Sequence, residues 1–448
     1  MLVRRGRKQG SAPTREPLPP GFGSLWSVVA LDILGFGLVL PILPLYAEDL
    51  GASGLLIGLL LGTYSLAQLV AAPILGRLSD RYGRRPVLIV ALCGSSIGHV
   101  LTALAPTVWL VIAARAVDGF SGGSMGVAQA AVSDVAAPAQ RPRLFGLLGA
   151  AVALGFVAGP ALGSLAALGG PKLPFFCAAA LTGLNALSAW WRLPETRPRA
   201  DRGPSVAAGY ASAAPAPAPA PAPARGAVAG FGSLWALLRG GGSLARLFGV
   251  TMLGGVAFSG FEATFSLLGR RRVGLTEASA GLVFAGVGIV LGVVQGMLVK
   301  RATGRFGAAR TAQIGLVANV VAFGALVPAA GWAVLAPAIV GLTVGQGLLS
   351  PALSTSIAAL APEARRGEVF GAQQSVAAAS RIVGPLAGLA LFDVATGLPY
   401  VAGAILAAVA FGLLVSVASP ADGAAGGSDG HPSPGASGPL VGASRPSS

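Results

Sequence analysis

Apolar residues fall in long runs along this chain. Twelve stretches follow one another, at 24–44, 55–75, 86–105, 108–130, 144–168 and 172–193, then at 246–268, 279–299, 311–330, 332–356, 369–392 and 397–418. Each is about 20 residues long, enough to cross the hydrocarbon of a bilayer as a helix. Lipid offers no partner to an open backbone N–H or C=O, so every span is predicted to be helical. The alternation of a barrel strand is absent. The fold class this predicts is an all-α membrane protein of twelve transmembrane helices.

Polar intervals divide these runs. The interval 194–245 separates six spans from six and carries APAPAPAPAPA (Ala214–Ala224). Its alternating prolines forbid a helix and favour an extended polyproline II spacer. The arm 1–23 is basic, and the tail 419–448 has the Gly/Ser/Pro-rich composition of a disordered segment. The halves, 24–193 and 246–418, repeat short patterns. RYGRR (Arg81–Arg85) has an echo in RFGAA (Arg305–Ala309), GPALG (Gly159–Gly163) returns as GPLAG (Gly384–Gly388), and GFGSLW occurs at Gly21–Trp26 and Gly230–Trp235. Two pseudo-symmetric six-helix bundles with a cavity between them is transporter architecture.

Composition agrees: 54% of the 448 residues are hydrophobic and mean hydropathy is +0.75, outside the range of soluble domains. The formal charge of +15 invites a nucleic-acid reading, but its distribution gives another. With the start of the chain in the cytoplasm, 25 of the 31 Lys and Arg fall on that side, four on the other (Lys172 and Arg270 to Arg272), and two within spans. This is the positive-inside pattern, with both termini cytoplasmic and the basic faces against anionic lipid. Arg270 to Arg272 break it. Cys93 and Cys177 lie in apolar spans, without disulfide or metal spacing. No Walker loop, HExxH, CxxC or Ser/His/Asp grouping is present, and neither an enzyme nor a metal site is expected.

Charge gathers most densely in GRLSDRYGRRP (Gly76–Pro86), between the second and third spans. That stretch resembles the signature loop of the major facilitator superfamily, with Gly76, Asp80, Gly83, Arg84 and Arg85 in place. LDILGFGLVLPILP (Leu31–Pro44) resembles the first-span motif of its twelve-span drug:proton antiporters. RAVDGFSGG (Arg115–Gly123) resembles the fourth-span motif, with Asp118 where Gln is usual. LGFVAGPALGS (Leu154–Ser164) resembles the fifth-span antiporter motif, with Gly155, Gly159, Pro160 and Gly163 matched and Ser164 replacing a final Gly. The first half is most similar to tetracycline efflux proteins. Where those carry a His in span eight and an Asp in span nine, this chain has Leu291 and Asn319.

The resemblance implies a secondary transporter: a proton-coupled antiporter exporting lipophilic small molecules by alternating access. It implies no cofactor beyond the proton gradient, a monomer, and a place in the cell membrane. A proton-linked carrier of a dedicated metabolite such as a sugar, and a receptor or scaffold that keeps the fold, remain open. The resemblance also implies a latch, with Asp80 facing the start of span eleven near Glu368–Gly371 and Arg84 paired with Asp134, against the plainer reading of anchoring charges.

Ionisable groups inside spans are costly and point to function. Asp32 and Glu262, in the first span of each half, are the candidate proton or cationic-substrate sites. Arg115 and Arg381 are candidates to hold a carboxyl near the cavity, with a local Arg115–Asp118 pair as the structural alternative. His99 reads as a packing residue. Gly155, Gly159, Pro160 and Gly163, and their echo in span eleven, suit close helix approach and a bend. Gln68, Gln295, Gln346, Asn185 and Asn319 are candidate polar cavity residues, and Tyr64, Phe258 and Phe265 candidate aromatic walls.

Overall fold

The computed structural model describes residues 17–137, 140–196, 242–362 and 366–417. The expectations for the arm, the Pro/Ala-rich spacer, the second GFGSLW and the tail lie outside the described residues. Every element among those described is helical. The first half comprises α1 (Phe22–Val39), α2 (Leu43–Asp49), α3 (Gly54–Tyr82), α4 (Arg84–Leu104), α5 (Val108–Ser121), α6 (Ser124–Val135), α7 (Arg141–Ala167) and α8 (Leu173–Arg192). The second comprises α9 (Ser243–Val273), α10 (Glu277–Val293), a π-helical turn (Val294–Leu298), α11 (Val299–Leu326), α12 (Trp332–Leu360), α13 (Arg366–Val394) and α14 (Leu398–Val415).

Ten helical segments among the described residues are long and apolar enough to span a bilayer. One of them, Glu277–Leu326, is 50 residues long and holds two spans. The expected fourth span is divided instead, α5 and α6 meeting at Gly122 and Gly123. A side chain at Gly122 would strike the Tyr64 hydroxyl at 2.7 Å, and one at Gly119 the Tyr64 carbonyl at 2.3 Å, so this glycine-rich turn lets α5 lie directly on α3.

The charged connections are shorter than their polarity suggests. Helix α3 runs through Tyr82, and α4 begins at Arg84; the whole turn is Gly83, at φ 106° and ψ 157°. In the second half the expected loop Lys300–Arg310 is helical throughout, apart from Gly307 at φ 78° and ψ 166°. Arg and Lys are good helix formers, and a helix leaving the bilayer needs no apolar run to continue. The echo of RYGRR in RFGAA is thus a repeat of backbone geometry, with glycine where a side chain would be strained.

The two GPxxG patterns repeat a packing scheme. Cβ atoms added at Gly155 and Gly159 would lie 2.8 Å from Leu34 N and from Gly37 Cα on α1, and one at Gly163 would lie 2.2 Å from Leu38 O. Likewise Gly384 would meet Val256 O at 2.8 Å and Gly388 would meet Gly260 Cα at 3.0 Å on α9. Both glycine faces therefore seat the fifth helix of a half against its first. The proline side of each faces the other half. A Cβ at Gly281 of α10 would lie 2.5 Å from Pro160 O, and one at Gly58 of α3 would lie 3.0 Å from Pro385 O.

The buried side chains form three clusters. One joins the halves, bringing Leu38, Ile42, Leu43 and Tyr46 together with Phe261, Phe265, Leu268 and Phe392. A second belongs to the first half alone, around Phe22, Leu75, Leu88, Leu144 and Leu193. The third belongs to the second half alone, around Leu247, Phe248, Leu353, Val369 and Leu414. The last two contain the residues nearest 196 and 242, so they mark the linker face. The halves share one core at the distal face and keep separate cores at the linker face.

Candidate functional site

Five helices of the first half converge on a buried charged group. Asp32, on α1, accepts a hydrogen bond from Ser124 Oγ at 2.7 Å, and Ser124 is there because α6 restarts just after the double glycine. On α5, Arg115 Nη1 lies 2.7 Å from Asp118 Oδ2, the local i,i+3 pair. Both side chains are 4% exposed. The Arg115 guanidinium sits over the Tyr64 ring of α3, 4.6 Å from its centroid. His99 of α4 approaches Asp118 to 3.9 Å. Gly98 makes room for the acid: a Cβ there would lie 2.7 Å from Asp118 Cβ. Arg115 Nε and His99 Nδ1 are buried without a hydrogen-bond partner among the described residues.

The second half contributes fewer charges. Glu262 of α9 and Arg381 of α13 are each without a hydrogen bond or ion pair among the described residues, and Arg381 is exposed. The charge of Arg381 acts on Glu262 and also on Tyr64. Tyr64 feels Asp118, Arg115 and Asp32 as well, so it stands between the charged groups of the two halves. Phe36 and Phe156 continue the aromatic surface from Tyr64, with centroids 5.1 and 6.1 Å apart in succession.

Several residues expected at a cavity wall lie in helix packing instead. Asn185 donates to Val28 O at 2.9 Å and is 1% exposed. Asn319, 2% exposed, is pressed against Gly345, whose added Cβ would lie 2.1 Å from its Oδ1. Phe265 is in the shared core against Phe261 and Phe284, and Phe258 packs beside it. A polar side chain in a span must meet protein, and a neighbouring helix serves as well as a cavity. Gln68 donates to Gly122 O at 2.8 Å. Gln295 is exposed within the π-helical turn, and Gln346 Oε1 is buried without a partner among the described residues. No group of three or more His, Cys, Asp or Glu able to hold a metal occurs among the described residues.

At the linker face Arg84 is the hub. Its Nε lies 2.9 Å from Asp134 Oδ2, its Nη2 2.9 Å from Asp80 Oδ1, and its Nη1 donates to Ser79 Oγ at 2.6 Å. All these partners belong to the first half, so Arg84 ties α3, α4 and α6 to one another and does not itself bridge the halves. Of the stretch Glu368–Gly371, expected opposite Asp80, the Glu368 side chain lies outside the described residues. Gly76 has open space where a Cβ would stand.

Sequence reasoning missed Glu195. It accepts from Arg84 N at 2.8 Å and Arg85 N at 3.1 Å, satisfying the first free donors of α4. Arg85 also donates to the Trp190 carbonyl. Glu195 reaches in because Gly83 lacks a side chain: an added Cβ would lie 2.4 Å from Glu195 Oε2. Gly83→Ala should therefore combine left-handed strain with expulsion of the cap, at about 1–3 kcal/mol. Thermal unfolding in detergent should show a clearly lowered Tm, whereas Gly76→Ala should leave it nearly unchanged.

The distal face holds a charged cluster, also missed. Arg270, in the last turn of α9, lies 2.6 Å from Asp49 and 3.3 Å from Glu48 of α2, and pairs with Glu277 of α10. Arg271 lies 3.5 Å from Glu48 and over the Phe392 ring at 4.6 Å. Arg272 donates to the carbonyls of Val327 at 2.8 Å and Ala329 at 2.6 Å, closing the end of α11. Asp393 crosses between halves to accept from Gly54 N at 2.9 Å and Leu55 N at 3.1 Å at the start of α3. Of the triple Arg that broke the charge pattern, Arg270 and Arg271 thus meet carboxylates and Arg272 meets backbone carbonyls. The clue was the nearby Glu48, Asp49 and Glu277.

The chain is similar to several known proteins along most of its length. The tetracycline resistance protein, class C, of Escherichia coli is 32% identical over 386 residues, 84% of this chain and 92% of that protein. Multidrug resistance protein 1 of Bacillus subtilis (strain 168) is 25% identical over 87% of this chain and 94% of its own. The crystal structure of the human organic anion transporter MFSD10 (TETRAN) superposes with a TM-score of 0.61 at 26% identity, over 88% of this chain and 98% of that one. The profile of the Major Facilitator Superfamily matches residues 25–385 and, in a second match, 273–438. With ten long apolar helices, two repeated halves and that match over most of its length, this integral multi-pass membrane protein belongs to the Major Facilitator Superfamily.

Proposed function

We propose that the protein is a proton-coupled antiporter that exports lipophilic small molecules by alternating access. The observation that carries this reading is the gathering of Asp32, Arg115 and Asp118 around Tyr64, which also lies in electrostatic reach of Arg381, in a fold whose halves share a core on the distal side and keep separate cores on the linker side. Titratable groups buried at a repeat interface are where a transporter couples an ion to its cargo. Asp32 is the proton carrier, held by Ser124; Glu262 is the second site, facing Arg381. Arg115 and Asp118 fix the field around them, and Tyr64, Phe36 and Phe156 form an aromatic wall for apolar cargo. The distribution of Lys and Arg supports placing the linker face, and with it the ends of the chain, in the cytoplasm. The boundaries 24–193 and 246–418 are the two rocking bodies, and one chain supplies a complete transporter. The opening then faces the cytoplasm, the state that loads cargo for export. The names of the tetracycline and multidrug resistance relatives support the same class of cargo.

Substitution of the span-eight His and span-nine Asp by Leu291 and the packed Asn319 argues against tetracycline as the cargo. Arg381, exposed and unpaired among the described residues, favours a second reading in which the cargo carries an acidic group. The similarity to MFSD10, an organic anion transporter, supports that reading. Inside-out vesicles with an acid interior and a pH-sensitive dye test both. A panel of lipophilic cations, lipophilic carboxylates, tetracycline and sugars is added from outside. The expected result is proton efflux with a lipophilic compound, absent from Asp32→Asn protein inserted to the same level. Silence across the panel, or an undiminished signal in Asp32→Asn, would overturn the assignment.

A further inference from the structure

Helices α11 and α14 pack side by side at the edge of the second half. Between them lies a groove of about 330 Å³, lined by Phe306, Arg310, Gln313, Ile314 and Val317 of α11 and Phe411 of α14. The α11 positions share one helix face. Ile314 and Val317 are 45% and 48% exposed, so the wall lies open to surrounding lipid. The groove is ordered by depth. Phe306 and Arg310 stand at the linker end, next to the break at Gly307, and Val317 lies about 10 Å further along the helix from Arg310, at 1.5 Å per residue. Arg305 stacks on the Phe306 ring, 5.6 Å from its centroid, adding a second guanidinium at that end.

The charge there has no acidic neighbour in sequence. Lys300, Arg301, Arg305 and Arg310 lie in a stretch with no acidic residue between Glu277 and Glu363. Arg310 forms no ion pair among the described residues. The first half repeats the stack, with Arg81 over the Tyr82 ring at 5.4 Å, but not the polar lining beyond it. At the offset of 224 residues set by RYGRR and RFGAA, Pro86 and Ile89 stand where Arg310 and Gln313 do, while Val90 keeps the apolar wall of Ile314.

We propose that this groove binds one anionic phospholipid. Its phosphate is held by Arg310 and the Gln313 amide near the Arg305 guanidinium, and an acyl chain lies along Ile314, Val317 and Phe411. Apolar wall alone would take any lipid; two guanidinium groups at headgroup depth select a negative one.

The test is native mass spectrometry of the full chain, titrated with phosphatidylglycerol and with phosphatidylcholine of identical chains. One phosphatidylglycerol should be retained about tenfold more tightly than phosphatidylcholine, a difference of 1.4 kcal/mol. Arg310→Gln should remove the preference and Arg310→Lys should keep most of it. Val317→Trp, at an exposed position, should weaken retention of both lipids by filling the groove, and serves if Arg310→Gln fails to fold. Equal retention of the two lipids by the parent would overturn the proposal. So would a preference untouched by both groove variants, or displacement of the lipid by millimolar inorganic phosphate alone, which would make the site one for free phosphate.

Discussion

Arg115→Gln should leave little folded protein, and the double variant Arg115→Gln/Asp118→Asn should restore the fold without restoring transport. The pair is 2.7 Å apart, with both side chains 4% exposed. Removing one member of such a pair strands the other charge and costs about 3–5 kcal/mol, whereas replacing both is often close to neutral. In this protein the cost of the single change falls on Asp118, which keeps His99 at 3.9 Å but also lies in electrostatic reach of the Asp32 carboxyl. Arg115 also loses its place over Tyr64, which adds a smaller penalty. Thermal unfolding and the yield of monodisperse protein measure the stability arm. Proton efflux with an active compound measures the transport arm. If the double variant folds and transports normally, the pair is a structural brace and the coupling role proposed for it is wrong.

The spans were legible because a run of about 20 apolar residues has few alternatives. The seams were legible too: GPALG and GPLAG contain small residues at helical spacing, and both seat a fifth helix on a first. Legibility ended where partners are far apart in sequence. Nothing near Gly83 announces Glu195, 111 positions away from Arg84. The Arg115–Asp118 pair could be read from its i,i+3 spacing, but not Tyr64 beneath it or Gly98 making room for it. Hydropathy marked Lys300–Arg310 as a break because it measures affinity for lipid; the backbone there stays helical and turns at one glycine. Polarity within a span drew Asn185 and Asn319 towards a cavity, although a polar side chain excluded from lipid is equally satisfied between packed helices. The side-counting of charges flagged Arg270 to Arg272 as an exception, because it weighs sign and ignores partners.

Those partners lead to the second large effect. Arg270→Glu should open the distal face. In the parent, one guanidinium is shared among Asp49, Glu48 and Glu277, joining α2 of the first half to α9 and α10 of the second. Each is a partly exposed pair, worth about 0.2–1 kcal/mol. Reversal leaves four carboxylates together and turns the two attractions across the halves, to Asp49 and Glu48, into repulsions, a swing of about 1–4 kcal/mol. That is roughly a fivefold to several-hundredfold change in the balance between closed and open distal faces, at about 1.4 kcal/mol per factor of ten. The shared core of Ile42, Tyr46, Phe261 and Phe265 opposes opening in parent and variant alike, so the difference isolates the charges. Spin labels on Thr107→Cys and Ala330→Cys, with Cys93 and Cys177 replaced by Ala, report the separation across that face by pulsed electron resonance. The parent should give one short distance, and Arg270→Glu a second, longer one that recedes as salt is raised, since such pairs are screened. Adding Glu48→Arg and Asp49→Arg to the reversed protein restores opposite signs across the same gap and should return the short distance. A single unchanged distance in Arg270→Glu would place distal closure in the apolar core alone, with the charges as neutral trim on a face held shut by Phe261 and Phe265.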